Sequence, residues 1–238
     1  VTDGTEDSTM FFNTMSGGAL GDRISIVGET TTIAGNLSVD GGTIKLDGNY
    51  STGDRNTALG DTAGDSLTTG SDNVFIGHNT GTATTEGEDN TVVGSLAFDA
   101  NTTGDNNIAI GFGALTANTT ASNNTAVGKS ALAANTTGID NTAVGSISLD
   151  ANTTGNFNTA IGKGSLTSNT TANNNVAIGY NSLVLNTTGT NNTAIGSLAL
   201  DANSTANNNT AVGTSALGAN TTGNLNVAVG VSSLATNT

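Results

Sequence analysis

The chain has 238 residues, with 19 acidic and 5 basic side chains, a net charge of −14 and no Cys, Pro or Trp. This acidity repels nucleic acid phosphates and anionic lipids, and no apolar run approaches the ~18 residues of a spanning helix. We therefore expect no nucleic-acid partner and no membrane insertion. Aromatic residues make up only 3% of the chain, which disfavours a globular core of large side chains.

The N-terminal quarter differs in pattern from the rest. Residues 1–22 are polar and glycine-rich apart from one apolar cluster at 10–12, and we interpret them as a lead-in or attachment segment. Over residues 23–55, apolar and polar residues alternate between turn signals such as Asp47-Gly48. Alternation of this kind between Asp-Gly turns predicts short strands joined by tight hairpins, which we name the β neck.

From residue 56 to residue 238 the chain repeats every 17 residues without an insertion. Each unit closes on a glycine, at Gly60, Gly77, Gly94, Gly111, Gly128, Gly145, Gly162, Gly179, Gly196, Gly213 and Gly230. Strict periodicity predicts stacked units in the same mutual contact, and it argues against disorder. The predicted fold is all-β, a parallel β-solenoid (a β-roll or β-helix) with one 17-residue coil per repeat.

The last repeat stops inside the unit, with no polar capping segment after it. A solenoid end without a cap exposes strand edges and core. Two explanations stay open: the chain is truncated at its C-terminus, or subunits stack end to end.

Two apolar columns run through the repeat. One lies directly before the closing glycine and the other four residues after it, and the position between them carries only Ala or Ser from Ala97 onward. We predict that the two columns face each other as a core ladder, formed by Val127, Val144, Ile161 and Ile178 on one side and Leu132, Leu149, Leu166 and Leu183 on the other.

A third column, two residues before the glycine, carries only alanine in eight successive units. Its members are Ala109, Ala126, Ala143, Ala160, Ala177, Ala194, Ala211 and Ala228. A strand alternates its faces, so alanine and the neighbouring β-branched residue point in opposite directions. A solvent face has no reason to exclude larger residues, and we predict that this column contacts other copies of the chain in a homo-oligomer, a trimer around a common axis.

The other half of each unit reads Asn-Thr-Thr-Gly or a close variant, beginning at positions such as Asn101, Asn118 and Asn135. Asn suits a bend and can hydrogen-bond its counterparts in adjacent coils, which predicts a ladder of turns. Each Asn-Thr-Thr is also a glycosylation sequon, but turn ladders select these residues without any sugar.

Few residues could carry chemistry. There is no Cys, and the one histidine, His78, occupies a variable repeat position, so we expect no catalytic residue, no cofactor and no enzymatic activity. Acidic residues cluster in the first coils without recurring at coil spacing, so we expect solvated surface and no metal site. Aromatic residues at variable positions, Phe112, Phe157 and Tyr180, are candidate contacts for a glycan.

The unit Asn-Thr-Ala-Ile-Gly-x-x-Ala-Leu-x-x-Asn-Thr-Thr-Gly-x-Asn, beginning at Asn192, resembles repeats in tail-fibre proteins of tailed phages of the cyanophage type. The segment Ile33–Asn49 resembles the spacer that precedes such repeats. The strand sequence is also similar to the Val-Ala-Ile-Gly unit in the head of trimeric autotransporter adhesins, a β-roll that trimerises.

These resemblances imply a structural fibre protein in the virion tail, a shaft that extends toward the host cell surface and binds it. Its partners would be other copies of the chain, other tail or baseplate proteins and a host surface glycan. The alternative is an extracellular fibre or surface adhesin of a bacterium, of the autotransporter type.

Overall fold

The structure is a computed structural model that describes residues 48–50 and 53–236, with side chains from residue 55 onward. The predicted lead-in segment, 1–22, and most of the predicted β neck, 23–55, lie outside the described residues. Within the described part all regular structure is β, arranged as one sheet of twelve strands in sequence order.

An antiparallel pair begins the described chain. Strand β1 (Gly48–Tyr50) pairs with β2 (Gly53–Leu59), with Gly48 opposite Asn56 and Tyr50 opposite Gly53. Gly48 therefore lies in a strand, and the turn predicted at Asp47-Gly48 is wrong at this residue.

Every later strand is parallel to the one before it and lies 17 residues further along the chain. Thr125, Ala126 and Val127, for example, pair with Thr142, Ala143 and Val144. The parallel β-solenoid of 17-residue coils predicted from the period is confirmed. The strands after β2 are β3 (Val74–Ile76), β4 (Thr91–Val93), β5 (Ile108–Ile110), β6 (Thr125–Val127), β7 (Thr142–Val144), β8 (Thr159–Ile161), β9 (Val176–Ile178), β10 (Thr193–Ile195), β11 (Thr210–Val212) and β12 (Val227–Val229).

The interior of the solenoid is filled by the leucine column and the alanine column. The leucines of the predicted core ladder are fully buried, as expected: Leu132, Leu149, Leu166 and Leu183. The alanines of β5 to β11 are also completely inaccessible, and Ala228 in β12 is 3% exposed. Both columns belong to one continuous apolar core within a single chain.

The two faces of the strand are therefore reversed relative to the prediction. The β-branched half of the predicted core ladder points outward and stays partly exposed: Val127, Val144, Ile161 and Ile178. The alanines cannot form the predicted oligomer interface, because a side chain without accessible surface in one chain cannot contact another: Ala109, Ala126, Ala143, Ala160, Ala177, Ala194, Ala211 and Ala228. In the coils of β5 to β11, a buried leucine from one wall faces alanine on the strand, because a 17-residue coil is thin.

The third strand shows the same constraint with the sizes exchanged, whereas the coil of the fourth strand buries both Val92 and Phe98. Phe75 occupies the alanine position of β3 and is fully buried, and the leucine position of that coil is Gly81. A Cβ atom on Gly81 would lie 2.3 Å from Cε1 of Phe75. In the β3 coil the large side chain thus enters the interior from the strand, and in the coils of β5 to β11 it enters from the facing wall.

The closing glycines hold successive coils in close contact. Gly128 has φ +139°, and a Cβ atom there would lie 2.5 Å from the carbonyl oxygen of Gly145 in the next coil. Ten of the eleven closing glycines face a similar clash with the coil above, and Gly230 is the exception. Only glycine fits both the dihedral angle and the space, which explains its strict recurrence.

Candidate functional site

The outward side chains of β2 to β12 form a continuous face, which we call the outer face. It contains the column before each closing glycine, Leu59 in β2 and Val or Ile in every later strand, and a second column of Thr, Val or Ile two residues earlier, such as Thr125 beside Val127. Ile108 and Ile110 are 39% and 38% exposed although strands flank them on both sides. The outer face is thus an apolar and threonine-rich surface, one strand wide, that a single chain leaves partly open.

The three aromatic residues proposed for glycan contact are all exposed, at 53% for Phe112, 55% for Phe157 and 52% for Tyr180. They do not form one group. Phe112 and Tyr180 each follow a closing glycine and share one column, four coils apart, whereas Phe157 precedes the strand asparagine on another column. The structure therefore brings Phe112 and Tyr180 into line and leaves Phe157 apart.

The column of Phe112 and Tyr180 also holds two lysines that were not among the predicted binding residues. Five successive coils place there Phe112, Lys129, Ser146, Lys163 and Tyr180, a set that we call the stripe. Ser146 is partly buried and the other four side chains are exposed. The signal was present in the sequence, because Lys129 and Lys163 are the only basic residues after residue 55 and they stand 34 residues, or two periods, apart.

Buried asparagines provide most of the polar order inside the coils. The strand ladder consists of the asparagine before each strand, from Asn56 to Asn226 in steps of 17 residues, and its members are buried as far as Asn209. The Asn141 side chain donates to Oδ1 of Asn124 at 3.2 Å and to the carbonyl oxygen of Gly155 at 2.8 Å, while its backbone N–H also donates to Oδ1 of Asn124. Burial without penalty requires this degree of satisfaction.

The asparagines of the Asn-Thr-Thr turns form a second series, the turn ladder, from Asn101 to Asn220. Asn152 donates to Oδ1 of Asn135 at 2.8 Å and to the carbonyl oxygen of Gly155 at 3.0 Å. Gly155 therefore accepts from both ladders and ties the two sides of its coil together. The predicted turn ladder is present, and it lies inside the coil.

Burial of the turn ladder also bears on the sequons. The side-chain nitrogen of a sequon asparagine must be accessible to receive a sugar, and Asn135, Asn152 and Asn169 have no exposed surface. Their amide nitrogens already donate to neighbouring oxygens. A sugar on any of these three residues is incompatible with the folded coil.

The acidic side chains of the first coils do not converge. Arg55 donates two hydrogen bonds to the carboxylate of Asp72. These bonds are the main reason that the pKa of Asp72 lies below its ordinary value. Nε2 of His78 lies 3.9 Å from Oδ2 of Asp61, and both side chains are exposed. Between residues 55 and 236, no three His, Asp or Glu side chains are grouped as a metal site requires.

A shallow depression of about 390 Å³ opens on these first coils. It is lined by Thr62, Ser66, Asn79, Thr82, Ala83 and Asp99. Asp99 is the single ionisable group of this lining, so the depression itself supplies no pair of groups for acid–base catalysis.

Two carboxyl groups further along the solenoid are affected by burial. Burial raises the pKa of Asp150 and of Asp201, against weaker opposing hydrogen bonds from the backbone. Oδ1 of Asp150 is buried and has no hydrogen-bond partner. Both residues follow a buried leucine, and neither lies on the stripe or on the outer face.

Comparisons with family models, with curated proteins and with solved structures gave no match. The described part of the chain contains no helix with the length and apolarity needed to cross a bilayer.

Proposed function

We propose that this chain forms the shaft of a homotrimeric phage tail fibre, a non-enzymatic structural protein that extends from the virion toward the host surface. The observation that carries the proposal is the outer face. Its partly exposed column, Leu in β2 and Val or Ile in every later strand, runs the length of the stack of parallel strands, about 50 Å for eleven strands at ~4.8 Å spacing. Extended apolar surfaces of this kind mark contacts with other proteins.

A copy of the same chain is the partner that fits this face best. The face repeats every 17 residues, and only another periodic surface presents matching groups along its whole length. It carries no charged side chain from β3 to β12, so copies can approach without burying a charge. Trimers also match the families that the repeat resembles, the tail fibres and the autotransporter adhesins.

Charged substitutions on the outer face test the assembly. We expect Val144→Glu with Ile161→Glu to convert a trimer to monomers, because each copy would bury two carboxylates at the contact. Light scattering measures the mass, and circular dichroism checks that the β structure persists. The matched control places the same charges on exposed turns, Thr137→Glu with Thr171→Glu, two coils apart.

A monomeric wild type would overturn the shaft proposal. If the glutamates unfold the chain, the milder pair Val144→Thr with Ile161→Thr keeps the test informative, since threonine already occurs throughout this face. Antibody labelling in electron micrographs then decides the setting: label on phage tails supports the tail fibre, and label confined to bacterial cells supports the adhesin alternative.

A further inference from the structure

The stripe collects residue types that are scarce elsewhere in this chain. After residue 105 the sequence has two basic residues and three aromatic residues, five in all. Four of these five lie on the stripe, and only Phe157 does not. Each coil has 17 positions, so five residues placed independently of one another would be spread over several columns.

Backbone hydrogen bonds hold the stripe in register. The carbonyl oxygens of Lys129 and Lys163 accept from the N–H groups of Ile147 and Asn181 in the following coils, at 2.9 Å and 3.1 Å. With coils ~4.8 Å apart, the two lysine Cα atoms are about 10 Å apart and the two aromatic Cα atoms about 19 Å apart. The stripe residues thus lie in one row along hydrogen-bonded coils.

The lysine side chains remain open to a ligand. Both are exposed, and within residues 55–236 no carboxylate lies within ion-pair distance of either ammonium group. The nearest acidic residues in sequence, Asp140 and Asp150, occupy other columns of the repeat. Ser146 lies midway between the lysines and offers a hydroxyl group.

We infer that the stripe binds an acidic polysaccharide, and this inference rests on the proposed function of host attachment. Carboxylate or sulfate groups of the polymer meet Lys129 and Lys163, and sugar rings stack on Phe112 and Tyr180 at the two ends. Two cations about 10 Å apart suit a polymer with widely spaced charges. The net charge of −14 disfavours densely charged polyanions such as nucleic acid.

A single stripe binds weakly, because exposed charge pairs contribute little in water. A fibre with several copies presents several stripes to one polymer, and the linked sites raise the overall affinity by about 10²–10⁴. Weak individual contacts and strong collective attachment are what host-surface recognition by a fibre requires.

The test measures binding of the whole chain to polygalacturonate, dextran sulfate and neutral dextran by biolayer interferometry, at low and moderate salt. We expect binding to one or both acidic polymers and none to neutral dextran. Binding to polygalacturonate alone identifies carboxylate as the recognised group, and binding to dextran sulfate alone identifies sulfate.

Serine replacements separate the two parts of the stripe without disturbing the fold, since Ser95, Ser146 and Ser197 already occupy this column. We expect Lys129→Ser with Lys163→Ser to weaken binding about tenfold and to flatten its salt dependence. Phe112→Ser with Tyr180→Ser should also weaken binding but preserve the salt dependence. The control Thr137→Glu with Thr171→Glu changes the net charge equally, on exposed turns, and should bind nearly as wild type.

Several results would overturn the inference. They are a wild type that binds neither acidic polymer, a lysine variant that binds as wild type, or a control that loses as much affinity as the lysine variant. Light scattering on the same samples keeps the two proposals apart. A trimer that ignores acidic polymers defeats the stripe alone, whereas a monomer defeats the shaft whatever it binds.

Discussion

The closing glycine of each coil is fixed by its dihedral angle and by the coil above it. Gly128 shows both effects, with φ +139° and no space for a Cβ atom beside the Gly145 carbonyl. Gly113 is different, because its φ is +62° and the nearest atom to a Cβ there would be Oγ of Ser130 at 3.9 Å. Other coils carry Ser130 and Ile147 at the position of Gly113, also with positive φ.

These two glycines make a matched pair for mutation. We expect Gly128→Ala to lower the free energy of unfolding by about 2–4 kcal/mol, from backbone overlap and strain together. Gly113→Ala should cost only about 1 kcal/mol, the usual penalty of a left-handed residue. Urea unfolding followed by circular dichroism measures both, and equal losses would contradict the assignment of the overlap to Gly128.

The carboxyl group of Asp150 gives the solenoid a dependence on pH. Burial raises its pKa above the ordinary 3.8, so the folded chain holds the proton more firmly than the unfolded chain. The resulting stabilisation is complete below pH 3.8 and is lost as the pH rises through the folded pKa. At neutral pH the side chain is therefore a charge held in an unfavourable place.

Replacement by the neutral isostere should reveal this effect. We expect Asp150→Asn to raise the thermal unfolding midpoint at about pH 7, with the gain shrinking toward about pH 3, where the wild-type carboxyl group is also neutral. Asp140→Asn, the same change at an exposed residue, is the control. An Asp150 variant without any gain at neutral pH would show that burial does not penalise this charge.

At the scale of the strand, most coils bury one large side chain opposite a small one, and the large one can come from either wall. Phe75 with Gly81 and Ala160 with Leu166 are two solutions to the same volume constraint. We expect Ala160→Phe alone to cost about 1–3 kcal/mol or more from overpacking, and Leu166→Gly alone about 2–5 kcal/mol from the cavity. The double variant should cost less than the sum, with a coupling of about 1–3 kcal/mol.

A pair in different coils provides the control for this cycle. Ala160→Phe combined with Leu217→Gly involves residues three coils apart, and the two losses should simply add. Denaturant unfolding of the three single and two double variants gives both coupling energies. Strict additivity at Ala160 and Leu166 would mean that the two columns do not share one volume.

The strand also shows where prediction from the sequence succeeded and where it failed. The period gave the coil, the parallel register and the burial of Leu132 and Leu166. It could not distinguish the two faces of a strand on which both Ala126 and Val127 are restricted. Preference for the larger side chain in the core chose the wrong face, because the opposing leucine column limits the space.

At the scale of the whole molecule, a fixed period determines the architecture more firmly than the function. Eleven parallel strands in one register require only that each unit fit the next, and the 17-residue period makes this requirement visible in the sequence. The stripe is less evident in the sequence. Its residues are separated by multiples of 17 positions, and Lys129 and Lys163 fall in one row only once the coil length is known.

The two asparagine ladders have a sense of direction. Each hydrogen bond between asparagine side chains of neighbouring coils runs from a donor in the later coil to Oδ1 in the earlier one, as from Asn141 to Asn124 and from Asn152 to Asn135. The core thus contains two rows of aligned dipoles, and neighbouring bonds in such rows polarise one another. An asparagine in a further coil beyond Asn226 could donate to Oδ1 of Asn226. A coil added before Asn56 would have to supply an acceptor for the Asn56 side chain. The C-terminal end of one such solenoid can therefore join the N-terminal end of another with both ladders continuous. A junction of two C-terminal ends would set acceptor against acceptor.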